Sequence, residues 1–110
     1  MLTKVEVQER TLRVALPGGA ERTVTFPTGI AQVVGFREVV VLRCEPDPYT
    51  MQDRNVFGVP DAAREMWRVD QRLAGSVCSA LAAQGDALLA SLADGRTVAL
   101  DPMTGQLLEA

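Results

Sequence analysis

The sequence predicts an all-β domain: an open antiparallel meander of about nine or ten strands, blade-like or sandwich-like in arrangement and not a closed propeller. Polar and apolar residues alternate at every second position along much of the chain, as in half-buried strands. Short clusters of Gly, Pro and Asp separate the alternating runs, as tight turns do. Hydrophobic residues fill 47% of the 110 positions, which is enough for one packed core in a single domain, residues 1–110.

An N-terminal meander is predicted over residues 1–26, from three alternating runs. The first run carries Val5 and Val7 on one side and ends at the pair Glu9-Arg10. The second run ends at Pro17-Gly18-Gly19, a strong turn signal because glycine adopts positive φ without steric cost. The third run then returns as the last strand of the meander, and Pro27-Thr28-Gly29 turns the chain again.

A first blade-like unit is predicted over residues 30–69. Within it, Val39-Val40-Val41-Leu42 is apolar at consecutive positions, which indicates a central strand covered on both faces. Residues 45–55 form the longest irregular loop, because two prolines two positions apart cannot sit in a strand ladder. A strand resumes at Val56, turns at Pro60–Ala63, and returns through Trp67, which we expect to anchor the core.

The stretch from 71 to 93 is open to two interpretations. Its many alanines and a spacing of four between Leu73, Val77 and Leu81 favour a helix, whereas its glycines and serines do not. We favour two strands, Val77–Ala82 and Ala87–Leu92, separated by Gly85-Asp86 and followed by an Asp94-Gly95 hairpin turn.

The predicted second blade-like unit, residues 77–109, closes with a further strand pair, Arg96–Leu100 and Gln106–Glu109. The turn between them, Asp101–Gly105, places a proline where its fixed φ suits the turn and a glycine where a left-handed residue is needed.

A weak internal repeat links the two units. Residues 59–67 align with residues 100–108 at an offset of 41, close to the length of a four-stranded propeller blade. The segment from Gly95 to Gly105 resembles the strand, aspartate and Thr-Gly turn of quinoprotein-type (PQQ-like) β-propeller blades, and the stretch around Trp67 resembles a looser copy. The resemblance covers residues 55–69 and 77–109 and implies blade-like hairpins. Two blades and a meander are too few to close a ring of at least about four.

Small uncharacterised bacterial proteins with this ending are similar, and they imply no activity. The residue types themselves argue against catalysis. The chain has no histidine, so the commonest general base and most zinc sites are missing. No phosphate-binding glycine motif occurs, and Cys44 and Cys78, 34 positions apart in apolar runs, are expected to be buried thiols. We predict no enzyme activity, no cofactor and no metal site.

The charge and hydrophobicity of the chain indicate which classes of partner it is expected to bind. Eleven basic and fourteen acidic residues give a net charge of −3, so a broad nucleic-acid-binding face is not expected, although Arg10, Arg13 and Arg22 could form a local basic patch. No run is apolar for long enough to span a membrane, and the alternating, charged N-terminus does not resemble a signal peptide. The expected location is therefore cytoplasmic.

The predicted function is a non-enzymatic protein-interaction module, adaptor-like or immunity-like, that binds a protein partner or self-associates into a homo-oligomer through an open sheet edge or the 45–55 loop. The candidate contact residues in that loop are Asp47, Tyr49, Asp53 and Arg54, since loops carry function and tyrosine is enriched at contacts. Two alternatives remain. One is a small-ligand binder or hydrolase that uses loop carboxylates, such as Asp47 with Asp53 or Asp61 with Glu65, or a cysteine thiol; the other is a subunit of an assembled propeller.

Overall fold

The computed structural model describes residues 4–15, 19–47, 49, 53–60 and 65–108, with the side chain of Lys4 excepted. It confirms the predicted fold class, because its strands form three antiparallel sheets and none of the sheets closes into a barrel or propeller. The strands are β1 Lys4–Gln8, β2 Thr11–Ala15, β3 Glu21–Thr25, β4 Ile30–Gly35, β5 Val39–Cys44, β6 Val56–Pro60, β7 Trp67–Arg68, β8 Cys78–Gln84, β9 Ala87–Leu92 and β10 Thr97–Leu100.

The N-terminal sheet has the order β1-β2-β3, and each strand pairs with the next one along the chain. Glu9 adopts a positive φ of 54° in the two-residue turn between β1 and β2, the break that the sequence predicts there. Of the Pro17-Gly18-Gly19 turn, only Gly19 lies among the described residues, and its φ of 88° is the left-handed conformation expected of a turn glycine.

The middle sheet, β4-β5-β6-β7, lies between the other two. Val39 and Val41 of β5 pack with the C-terminal sheet, while Val40 and Leu42 on the opposite face pack with Leu12 of the N-terminal sheet. The prediction that this apolar run is a central strand covered on both faces is confirmed. Two separate hydrophobic clusters result, one at each interface of a three-layer stack.

The C-terminal sheet, in the order β8-β9-β10, forms from the stretch whose structure the sequence left open. Two strands occupy most of it, as favoured, and β8 extends two residues further than predicted, to Gln84. Gly85, with a φ of 58°, turns the chain between β8 and β9. Gln71–Leu73 forms a single 3-10 turn in which Leu73 is buried.

The predicted final strand pair is shorter than expected. The strand β10 begins at Thr97, and its returning partner is reduced to one bridge, between Leu100 and Leu107. The turn between them has the predicted form: the carbonyl of Asp101 accepts from the N–H of Gly105, 2.7 Å away, and Gly105 has a φ of 74°. Glu109 and the predicted turn residues 61–63 lie outside the described residues.

The 41-residue offset relates one pair of antiparallel contacts. Gly58 of β6 pairs with Trp67 of β7, and 41 positions later the carbonyl of Ala99 accepts from the N–H of Leu108 at 2.9 Å. Trp67 joins β6 to the turn after β10: its indole lies against Gly58 and Gly105, and its Nε1–H donates to the carbonyl of Pro102 at 3.0 Å. The indole is half-buried and packs against the cluster between the middle and C-terminal sheets, as expected of a core anchor.

Candidate functional site

The edges of the three sheets are the candidate sites, because an unpaired edge exposes backbone donors and acceptors that must be blocked or used. One edge is blocked by side-chain amides. Asn55, fully buried, accepts from the N–H of Cys78 at 2.8 Å through Oδ1 and donates Nδ2–H to the carbonyl of Cys78 at 3.1 Å. Its Nδ2 also donates to the carbonyl of Cys44 at 2.7 Å, so the amide ties β5 to β8.

A second amide repeats this arrangement further along β8. Gln32 of β4 donates Nε2–H to the carbonyl of Leu81 at 2.7 Å and accepts from the N–H of Leu81 at 2.9 Å. Each amide satisfies both backbone groups of one β8 residue, as a neighbouring strand would. The free edge of β8 is therefore capped at Cys78 and Leu81.

The edge of β1, unlike that of β8, has no side-chain amide or strand described beside it. Among the described residues, no strand pairs with the side of β1 that faces away from β2. Gln8 and Thr11 flank a two-residue turn as a hydrogen-bonded pair, and such pairs alternate with non-bonded pairs along an antiparallel ladder. Val5 and Val7 consequently direct their backbone N–H and C=O groups away from β2, toward the open edge.

The side chains of β1 are also open to solvent. Val5 and Val7 lie on the inward face of the N-terminal sheet, yet they are 39% and 44% exposed, whereas their pairing partners Val14 and Leu12 are fully buried. The outward face carries Glu6, which lies 3.8 Å from Arg13 of β2. Strand β1 thus offers apolar side chains and backbone groups along one edge.

The 45–55 loop begins near the same end of the molecule as the β1–β2 turn. Ile30 donates its N–H to the carbonyl of Glu9, and Glu45 donates its N–H to the carbonyl of Gly29, each at 2.8 Å. Within the loop, Tyr49 is 97% exposed and donates its backbone N–H to Oδ1 of Asp47 at 2.7 Å. The carboxylate of Asp47 therefore holds the backbone of Tyr49, whose side chain is open to solvent.

The other two predicted contact residues tie the end of the loop to neighbouring segments of the chain. Arg54, at a positive φ of 49°, donates from Nε and an Nη to the carbonyl of Val69 at 2.9 and 2.7 Å. The carboxylate of Asp53 accepts from the N–H of Gly75 and lies 3.9 Å from the guanidinium of Arg68. The structure therefore leaves Tyr49 exposed beside the half-buried Asp47, while Asp53 and Arg54 hold the end of the loop.

The thiols are buried on opposite sides of the middle sheet, Cys44 in one hydrophobic cluster and Cys78 in the other. Desolvation by burial raises the pKa of Cys44 to about 11 and also raises the pKa of Cys78. A reactive thiolate needs the opposite shift.

Carboxylates are not gathered into a site either. The described residues hold no group of three or more Cys, Asp or Glu side chains that could bind a metal ion. Asp61 lies outside those residues, and Glu65 is exposed. A shallow open groove of about 320 Å³ lies where hairpin tips of the middle and C-terminal sheets meet; its lining is Phe36, Arg37, Glu38, Asp86, Pro102 and Met103.

Sequence patterns indicate no role for three polar side chains that the structure ties to distant backbone groups: the half-buried Gln32 and the buried Asn55 and Asp70. Asp70 accepts from the N–H of Leu107 at 2.9 Å and from the guanidinium of Arg72 at 2.9 Å, which ties the segment after β7 to the chain after β10. Nothing local marks these residues, although an asparagine directly before the apolar strand β6 is a weak signal of a structural amide.

Comparison with known proteins assigns the chain to a family. One family's sequence model matches residues 2–110, nearly the full chain. The chain belongs to DUF7957, a domain of unknown function. Neither a curated protein nor a solved structure matches the chain. Because the description of DUF7957 does not mention propeller repeats, the resemblance to PQQ-like blades stays a prediction. In the described part of the chain, no helix has the length and hydrophobicity needed to cross a membrane.

Proposed function

We propose that this domain is a non-enzymatic protein-interaction module that binds an extended segment of a partner protein along β1. A segment added beside β1 would extend the N-terminal sheet by one strand, with main-chain hydrogen bonds for affinity and side-chain contacts for selectivity. The observation that carries the proposal is the exposure of Val5 and Val7 on an edge without a described neighbour.

The contrast with β8 supports this choice of edge. Two amides satisfy the outward backbone groups of Cys78 and Leu81, so β8 is protected against added strands. The edge strand β3 is partly protected as well, because Arg22 reaches across to the carbonyl of Pro60 at 3.1 Å. By comparison, all side chains described in β1 are exposed.

Tyr49 would contribute a peripheral contact. Its loop starts near the β1–β2 turn, and an exposed tyrosine adds large contact area at a low entropic cost. The raised pKa values of both thiols and the shallowness of the groove favour a binding role over the enzyme alternative.

The test compares the wild-type domain with the double variant Val5→Lys/Val7→Lys in affinity capture from an extract of its native cells. Lysine is a residue that natural edge strands use against strand addition. We expect a specific partner with the wild type, lost with the double variant. Amide hydrogen exchange on the complex should then show new protection at the N–H groups of Val5 and Val7.

The matched control is Thr23→Lys, which adds a lysine at an exposed position of β3 on the other edge of the same sheet. Both variants should keep the far-ultraviolet spectrum of the wild type. A partner that binds the double variant as well as it binds the Thr23→Lys control would refute the β1 site, and a domain that captures no partner would refute the function.

A further inference from the structure

The two outer faces of the three-layer stack differ in chemistry. The outward positions of the N-terminal sheet include Glu6, Arg13 and Glu21, where Arg13 lies 3.8 Å from each of the two carboxylates. On the C-terminal sheet, the core-facing residues are Leu81, Ala90 and others of the hydrophobic cluster, so the alternate positions face outward. Those outward strand positions are Ala80, Ala82, Gln84, Ala87, Leu89, Ser91, Thr97 and Ala99, and none of them is charged.

An apolar row crosses the middle of this outward face. Ala82 of β8 pairs with Leu89 of β9, Leu89 pairs with Ala99 of β10, and Leu108 follows beside Ala99. Ala82 is exposed, Leu89 and Ala99 are half-buried, and Leu108 is 47% exposed. The row alternates small and large side chains, which gives the face shallow holes beside protruding leucines.

We propose that a second copy of this chain covers the face, with the two C-terminal sheets packed against each other about a two-fold axis. This interface is separate from the β1 edge and does not depend on the proposed function. Sheet-on-sheet packing of this kind already joins the three layers within one chain, so the dimer continues the same stack to six layers.

Charge is the reason that the occupant is a second copy. In a two-fold interface each residue faces the same patch of its twin, so a charged patch would meet its own sign. With a net charge of −3, two chains repel in general, and an uncharged face adds no like-charge contact to that repulsion. The alternating row is also self-complementary, since Leu89 of each copy can seat over Ala82 or Ala99 of the other.

The area of the outward face sets the expected affinity of the dimer, and the opposite face of the molecule limits the assembly to two copies. Four neighbouring segments of up to about six residues, spaced ~4.8 Å apart with a rise of ~3.3 Å per residue, give a footprint of roughly 400 Å² on each copy. The two footprints together bury about 800 Å², less than the ~1,200 Å² at which stable specific interfaces begin, and this predicts a weak dimer that depends on concentration. Assembly stops at two copies, because the outer face of the N-terminal sheet is charged.

Sedimentation velocity from micromolar to millimolar concentration tests the proposal. We expect the mass of the wild type to rise toward twice the 11.8 kDa of one chain, with no larger species. Leu89→Lys and, as a second variant at an exposed position, Ala82→Asp should each weaken the dimer about tenfold or more. Thr23→Asp, on the outer face of the N-terminal sheet, is the matched control and should leave the dimer unchanged.

Cross-linking gives an independent readout. Because both native thiols are buried, a bis-maleimide that spans the ~10 Å between packed sheets should join Leu89→Cys into a dimer, whereas it should not join Thr23→Cys. A chain that stays monomeric at millimolar concentration overturns the proposal, as does a ring-sized assembly. A dimer that survives both Ala82→Asp and Leu89→Lys but is lost in Val5→Lys/Val7→Lys would place self-association at β1 instead.

Discussion

Asn55 pairs its side-chain amide with both backbone polar groups of Cys78, although 23 positions separate the two residues. The amide of Asn55 lies where the end of β5 meets the start of β8, and it also holds the carbonyl of Cys44. Three backbone groups at the junction of two sheets therefore depend on one fully buried side chain. Because no water replaces a lost partner in such a place, this residue should govern stability more than its size suggests.

We predict that Asn55→Ala destabilises the domain by about 3 kcal/mol, since it leaves several buried backbone groups without partners. Asn55→Asp should be at least as harmful, because a carboxylate cannot donate to the carbonyls of Cys44 and Cys78 and its charge would be buried. Urea unfolding measures both. The matched control is Gln84→Ala, which removes an exposed amide from the end of β8 and should cost within about 0.5 kcal/mol.

The sequence was sufficient to predict what depends on neighbours along the chain. Period-two alternation identified the strands, and Gly85, Gly95 and Gly105 all have the positive φ expected of turn glycines. The apolar run at Val39–Leu42 indicated its burial on both faces, because only a middle layer has no solvent side.

Features that depend on how the layers stack could not be predicted in the same way. Gln32 meets Leu81 across 49 positions and Asp70 meets Leu107 across 37, so no local pattern marks either residue. Val5 and Val14 share the same alternation and are paired, yet only Val14 lies beneath the middle sheet. The open edge at β1 became visible only from the layer packing.

The contact between Trp67 and Gly58 gives a packing prediction. A Cβ at position 58 would overlap the indole ring, so Gly58→Ala should cost about 2–3 kcal/mol in the free energy of unfolding. Gly35→Ala is the control, because a Cβ there meets open space and the φ of Gly35 is not positive. It should be close to neutral.

A double-mutant cycle isolates that contact. Trp67→Ala alone should cost about 3 kcal/mol, because it removes a large half-buried ring and its bond to Pro102. With the ring gone, the added methyl of Gly58→Ala has room and should cost almost nothing further. Additive costs in the double variant would mean that the glycine is required for another reason.

Because both thiols are buried, we predict that they react slowly with thiol reagents in the native domain. Cys44 is fully buried with a pKa of about 11, and Cys78 is 3% exposed with a raised pKa, so neither forms an accessible thiolate near neutral pH. We expect a disulfide reagent to label the native domain only at the rate at which it opens, and to label both thiols at once in urea. Tyr49→Cys supplies the positive control, since position 49 is 97% exposed. Prompt labelling of a native cysteine would contradict the assigned burial.

Asp70 predicts how stability changes with pH. Hydrogen bonds from the side chain of Arg72 and then from the backbone N–H groups of Leu107 and Arg72 hold the pKa of Asp70 far below its ordinary value of 3.8. A carboxylate whose pKa is lowered on folding stabilises the native state above the unfolded pKa, and this contribution is lost as the pH falls below about 4. The free energy of unfolding of the wild type should therefore fall on acidification.

The variant Asp70→Asn distinguishes the contribution of Asp70 to this pH dependence from the contributions of the other carboxylates. The difference in unfolding free energy between wild type and variant should be largest near neutral pH and should shrink steadily below pH ~4, where Asp70 becomes protonated in the unfolded chain. Asp86→Asn, in the exposed turn between β8 and β9, is the control and should track the wild type. A difference that stays constant with pH would show that Asn fails for reasons of shape and not of charge.

Tyr49 should affect binding without affecting folding. Because its side chain is 97% exposed, Tyr49→Ala should leave the urea midpoint unchanged, yet it should weaken capture of a partner that occupies β1. Tyr49→Phe keeps the ring and removes only the hydroxyl, so it separates stacking from hydrogen bonding. If capture by Tyr49→Ala equals that of the wild type while Val5→Lys/Val7→Lys abolishes it, the contact surface is confined to the strand edge and excludes the loop.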